Sequence, residues 1–258
     1  MKKWLLCGIA VVFLFGCGSG TYHIPKKEYQ TRVQVLGVLP VLVDYNSSVN
    51  YPQKEVLYDL LSRSAAGKHE SLVKQLKENK GYFDVRLLSV SPELTALSLL
   101  SGGSTHDEAG FPAGYAFDAA TVTEMARQNV VDAILVVVLS GEKVEEVRRS
   151  RTKLETLQTH YGDIRATAAV IDRNGDVLWQ LAGSESFQAL VLQYPDFDEA
   201  YYNKTDLVRV KNISLAGLER VLDESPDENG NKELPEMYRN LFSEIVSGIS
   251  PGILDSLH

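Results

Sequence analysis

The sequence predicts an α/β sandwich, a mixed β-sheet with covering helices and a helical C-terminal extension, and three observations carry that reading. Dense β-branched runs at 33–43 and 133–139 read as buried strands. Leucines at helical spacing between them, among them Leu57, Leu60, Leu61, Leu72 and Leu76, mark a covering helix. An Asn174-Gly175 pair between two β-rich runs marks a hairpin. The order strand, helix, strand, helix, strand, hairpin is that of a layered domain.

Each element has its own local signal. Val33 to Val43 is expected as one strand, with Asp44-Tyr45-Asn46 as its exit turn. The helix over 57–76 begins near Pro52, where a missing amide costs nothing, and Gly67 predicts a break between Ser64 and Lys68. Asn79-Lys80-Gly81 is a helix stop, with a cation in the last turn and a glycine beyond. Tyr82 to Val90 is expected as a second strand, and Pro92 opens a short helix through Leu100. Residues 101–117, with four glycines, are expected as a loop, after which Asp118 N-caps a helix carrying Val122, Met125 and Ala126. Ala133 to Leu139 is the third strand. The polar stretch 142–161 fits a strand pair or a helix. Two amphipathic helices near 214–222 and 235–249 flank an acidic loop at 223–233.

The first twenty residues say where the chain works. Lys2 and Lys3 precede an apolar stretch, Trp4 to Phe15, which is too short for a transmembrane helix of roughly 20 residues and suits a signal peptide. Leu14-Phe15-Gly16-Cys17 resembles the bacterial lipobox, which implies cleavage before Cys17, lipidation of its sulfur and a membrane anchor of acyl chains. The organisation that follows is a signal peptide at 1–16, a tether at 17–31, an α/β domain at 32–187 and a C-terminal loop and helical extension at 188–258 on the same domain. Gly18 after the cysteine, in place of an aspartate, favours the outer membrane, with the globule facing the periplasm. Two acyl chains suffice for stable attachment.

Composition narrows the chemistry. The cysteines are Cys7, in the removed segment, and Cys17, so the mature chain has no disulfide, thiolate metal site or cysteine nucleophile. Loss of Lys2 and Lys3 takes the net charge from −8 to −10, which argues against a nucleic-acid partner. The run Arg148-Arg149-Ser150-Arg151, preceded by Glu142, Glu145 and Glu146, reads as a solvated mixed-charge face.

Several motifs together resemble a family. Val35-Leu36-Gly37-Val38-Leu39-Pro40-Val41, Gly81-Tyr82-Phe83-Asp84-Val85, the stretch Ala126 to Leu135 and the hairpin Ala168 to Trp179 are similar to TolB-type amino-terminal domains. Curli-secretion lipoproteins and lipoprotein activators of penicillin-binding proteins share that architecture. The resemblance spans roughly 32–187 and rests on fold-forming motifs. It implies cell-envelope work through protein contacts and supplies no catalytic residue.

Chemical motifs are sparse. Asp172-Arg173-Asn174-Gly175-Asp176 has oxygens at alternate positions, but its twelfth position is Gly183, so it reads as a turn and not a calcium loop. Asp227 to Asn231 fails in the same way. Ser101-Gly102-Gly103-Ser104 lacks the lysine of a phosphate-binding loop. The histidines, His23, His69, His106, His160 and His258, show no metal-ligand spacing, and no G-x-S-x-G elbow occurs. His160 and Asp163 with an unspecified serine stay open as a coincidental triad. No metal, cofactor or small-molecule substrate is expected.

The expected recognition residues are the aromatics Phe187, Tyr194, Phe197, Tyr201 and Tyr202, interleaved with Asp196, Asp198 and Glu199. The same rings could instead cover a sheet edge. The reading that follows is a non-enzymatic, lipid-anchored envelope protein serving assembly, secretion or the cell wall through an unidentified protein partner. One rival is an oligomeric secretion-channel subunit, whose strands need alternating apolar residues. Val144, Val147, Leu154, Leu157 and Tyr161 recur at steps of three, four and seven instead. The other rival is an envelope hydrolase using 101–117 and His106.

Overall fold

A computed structural model describes residues 19–223 and 233–250. Cys17, the signal peptide, most of the acidic loop and the last eight residues lie outside the described residues. In chain order the elements are β1 (Thr21–Tyr22), α1 (Lys26–Arg32), β2 (Val35–Val38), β3 (Leu42–Asp44), α2 (Lys54–Ala65), α3 (His69–Glu78), β4 (Asp84–Leu87) and α4 (Pro92–Leu99). Then come β5 (Ser104–His106), β6 (Pro112–Tyr115), α5 (Ala119–Asn129), β7 (Ala133–Arg149), β8 (Thr156–Asp172), β9 (Val177–Leu181), β10 (Phe187–Val191) and β11 (Gln193–Asp196). Helix α6 (Phe197–Tyr202), β12 (Arg209–Asn212), α7 (Leu215–Leu222) and α8 (Glu236–Ile249) complete the described chain.

The fold is α/β with a large mixed sheet. Its order is β1-β9-β8-β7-β2-β4, with β3 added to β7 and β10 to β8. Strands β2, β3 and β4 belong to parallel pairs, and the rest of the sheet is antiparallel. Both faces of the central strands are covered. Ala133, Leu135, Val137 and Leu139 face a large core built with α1, α2, α3, α7 and α8. Ile134, Val136 and Val138 face a smaller core with α4 and α5. That is why the third strand reads as an unbroken apolar run with no alternation.

Local chemistry places the helix starts. Ser91, Asp118 and Ser214 each accept an amide hydrogen bond as N-cap, from Leu94, Thr121 and Gly217. The break expected at Gly67 separates α2 from α3.

Four expectations need correction, and one open alternative is resolved. The strand expected over 33–43 is two strands, because Pro40 has no amide for the ladder; β2 and β3 pair one after the other with the same edge of β7, at 133–135 and 138–140. The loop expected at 101–117 holds the hairpin β5–β6, clasped to the sheet by Glu145 N donating to Ala109 O at 2.9 Å. The ambiguous stretch 142–161 is a strand pair: β7 and β8 are each 17 residues long, about 55 Å of continuous ladder. The tether expected at 17–31 is part of the fold over its described residues. Strand β1 pairs with β9, and Tyr29 of α1 is buried with its hydroxyl 2.7 Å from that of Tyr82. The expected boundary at 187/188 also falls inside β10, which hydrogen-bonds to β8, while α8 supplies Tyr238, Leu241, Phe242 and Ile245 to the large core.

Candidate functional site

A cleft of 480 Å³ opens at the carboxyl end of β3, between that strand, the following turn at 45–48, α4 and the start of the β5–β6 hairpin. Carboxyl ends of parallel strands are where open α/β sheets place ligands. Its floor is polar and highly organised. Asp44, 8% exposed, accepts from Tyr115 Oη at 2.9 Å and from the Asn46 amide at 3.0 Å. Ser47 Oγ lies 2.9 Å from Tyr58 Oη and accepts from the Gly141 amide at 2.8 Å.

Behind His106, which lines the cleft, stands Glu142, only 2% exposed. Its Oε2 is 2.6 Å from His106 Nε2, and Ser140 Oγ donates to its Oε1. Burial pushes the Glu142 carboxyl above the usual range and outweighs the hydrogen bonds from Ser140 and His106 that favour its charge. Burial likewise raises the Tyr58 phenol to about 12, and raises that of Tyr115 further, helped by the neighbouring Asp44 charge.

A second buried polar group lies along the β7–β8 ladder. Arg148 donates to both carboxylate oxygens of Asp163, at 2.8 and 2.7 Å, and stacks 3.9 Å from the centre of the Tyr161 ring. Arg165 pairs with Glu146 and stacks 4.4 Å from the Phe111 ring centre. Gln188 adds a 2.6 Å bond to Asp163. Two arginines and two carboxylates neutralise one another here, so the face expected to be solvated is half internal. Arg149 and Arg151 stay exposed.

The five expected recognition aromatics divide. Phe197 is buried, and Phe187 packs against the large core. These two are structural. Tyr194 is partly exposed on β11, and Tyr201 and Tyr202 are 74% and 80% exposed on α6, their rings edge-to-face at 5.5 Å. Helix α6 is well fastened beneath them. Asp196 caps it through the Glu199 amide at 2.9 Å, and Lys211 of β12 bonds Asp196 at 2.8 Å and Glu199 at 3.0 Å.

The coincidental triad is separated, with His160 on the outer face beside Glu145 and Asp163 buried against Arg148. The turn at 172–176 uses its oxygens internally: Asp172 accepts the amides of Asn174 and Asp176, each at 2.9 Å, and pairs with Arg32. Asp44, Ser140 and Glu142 were not legible as site residues in the sequence. Only position marks them, at the end of a parallel strand and where the apolar run of β7 first admits polar side chains.

No family model and no curated protein matches the chain. Among solved structures it is similar to the PelC dodecamer from Paraburkholderia phytofirmans, at 12% identity and a TM-score of 0.30 over 86% of this chain and 90% of that one. It is also similar to a neuraminyllactose-binding hemagglutinin homologue from Helicobacter pylori, at 8% identity and a TM-score of 0.39 over 88% and 89%. Likenesses of this size bear on neither function nor assembly.

Proposed function

We propose that this is a lipid-anchored envelope protein, fastened through Cys17, that acts by protein–protein contacts as an assembly, secretion or cell-wall accessory factor. The outer membrane is the proposed site, with the globule in the periplasm, and the TolB-type resemblance is part of the same proposal. The observation that carries it is the Tyr201–Tyr202 pair. Large rings with polar tips stand in solvent on a helix whose own packing is done by Phe197 and Ala200. A rigid aromatic pair loses little entropy on docking, which suits a contact anchor.

The test is a Tyr201→Ala/Tyr202→Ala double variant in cells, crosslinked alongside the parent chain. Its stability should stay within about 0.5 kcal/mol of the parent, as for exposed positions generally, while the crosslinked partner is lost. An unfolded variant, or an unchanged crosslink, defeats the proposal. A Cys17→Ser chain should leave the membrane fraction.

The hydrolase reading gains one specific observation, the imidazole of His106 in an open cleft, backed by a buried carboxyl. Among the described residues no serine or threonine hydroxyl hydrogen-bonds to His106, so a hydrolysis there would use a water as nucleophile. Loss of a hydrolytic activity in a folded His106→Ala variant is the result that reading requires. The channel reading gains a long strand pair in 142–161. The outward face of that pair carries Lys143, Glu145, Arg149, Gln158 and His160, which does not suit contact with lipid.

A further inference from the structure

The cleft at the end of β3 combines two features that a single ligand class satisfies. One wall is apolar and open: Leu97 of α4 is 68% exposed, flanked by Ala96 and Leu100. The floor is anionic. Asp44 and Glu93 line the cleft, no lysine or arginine does, and His106 is engaged by Glu142. The two oxygens of Asp44 take one hydrogen bond each from Tyr115 and Asn46, although a carboxylate can accept about four.

These features select among ligands by elimination of costs. An anion would meet two carboxylates with no facing cation. A purely apolar ligand would strip water from Asp44 without replacing its hydrogen bonds. A small amine with a short hydrocarbon tail meets both demands, its ammonium donating to Asp44 and its tail covering Leu97. The volume of 480 Å³ lies in the range of small-molecule sites.

We propose that this cleft binds a small amphipathic amine, with the ammonium group against Asp44 and the alkyl part along Ala96, Leu97 and Leu100. This site is separate from the tyrosine pair on α6, and neither reading depends on the other.

The experiment titrates the protein with n-hexylamine, n-hexanol and hexanoate and follows its backbone amides by two-dimensional NMR. Hexylamine should give saturable shifts confined to 43–48 and 93–106. Hexanol should bind at least about tenfold more weakly, the value of one charge-assisted hydrogen bond. Hexanoate should give no saturable shift. Asp44→Asn should reduce hexylamine to the level of hexanol. Since Asp44 also holds Tyr115 and Asn46, a second variant decides the matter even where that one fails to fold. Leu97→Lys changes a solvent-exposed position and sets a cation over the cleft, so it should abolish the hexylamine shifts and leave the melting temperature unchanged. Equal binding of hexylamine and hexanol, preferential binding of hexanoate, absence of saturable shifts in the cleft, or a Leu97→Lys chain that binds like the parent would each overturn the proposal.

Discussion

Arg148 shows how a residue that looks solvated in sequence acts as an internal group. Its Nη2 donates to both oxygens of the fully buried Asp163. Burial raises the Asp163 carboxyl despite that partner, so the carboxylate depends on Arg148 to stay charged at low cost. Arg148→Ala should therefore destabilise the protein by about 3–5 kcal/mol in urea unfolding, the cost of stranding one buried charge. Arg148→Ala with Asp163→Asn should recover part of that loss. Glu142 is shifted in the same direction, and its effect can be read from the pH dependence. Its folded pKa is raised, so its stabilising contribution is complete below the unfolded value and is lost as pH rises through the folded one. Glu142→Gln removes the dependence. Melting temperatures followed from about pH 4 to about pH 8 should show the variant gaining on the parent as pH rises, and a constant gap would refute the assignment. No residue pattern announces either effect, because it comes from what covers the carboxyl.

At the scale of elements, the sequence is most legible where local chemistry decides. The cap at Asp118, Pro92 at the start of α4 and the turn at Asn174-Gly175 need only neighbours within four residues. The turn requires a positive φ at Gly175, +91°, which glycine supplies without strain. Strand β7 is legible over 133–139 because both its faces are buried, and it becomes ambiguous at 142, where one face turns outward. The three- and four-residue steps between Val144 and Tyr161 mimic a helix although Val144 is buried and Val147 is exposed on opposite faces of β7, and the seven-residue gap from Val147 to Leu154 spans the turn at 150–155. Helix α5 carries a strained end. Val130 sits in the left-handed region at φ 53° as its C-cap, an unfavourable place for a β-branched side chain, and it is largely exposed. Val130→Gly should stabilise the protein by about 1 kcal/mol, seen as a raised midpoint in urea. A lowered midpoint would mean that Val130 makes a contact worth more than its strain.

At the scale of the molecule, residues 19–32 belong to the globule. Besides the β1–β9 pairing and Tyr29, the backbone of 19–20 passes so close to Trp179 and α8 that Gly248 has no room for a side chain. A Cβ there would lie 2.3 Å from Ser19 O and 2.7 Å from the Trp179 ring. A chain beginning at Val33 should consequently lose at least about 3 kcal/mol of stability, the scale of deleting one buried aromatic side chain, as measured by urea unfolding. A freely jointed tether would make that truncation silent. The same closeness leaves little slack between the proposed lipid at Cys17 and the first described residue at 19, so on the proposed reading the sheet edge at β1 sits near the bilayer.

The sequence by itself determined the α/β class, the starts of α4, α5 and α7, the break at Gly67 and the final hairpin, since each follows from apolar periodicity or from a cap or turn residue acting on its own neighbours. The tertiary structure alone decided that 101–117 and 142–161 are paired strands, that residues 21–32 are packed, and which rings of 187–202 face water. It alone assembled the cleft, whose parts come from residue 44, residues 93–106 and residue 142. Such contacts join positions tens of residues apart, and their energy depends on what covers each group, which no local pattern records.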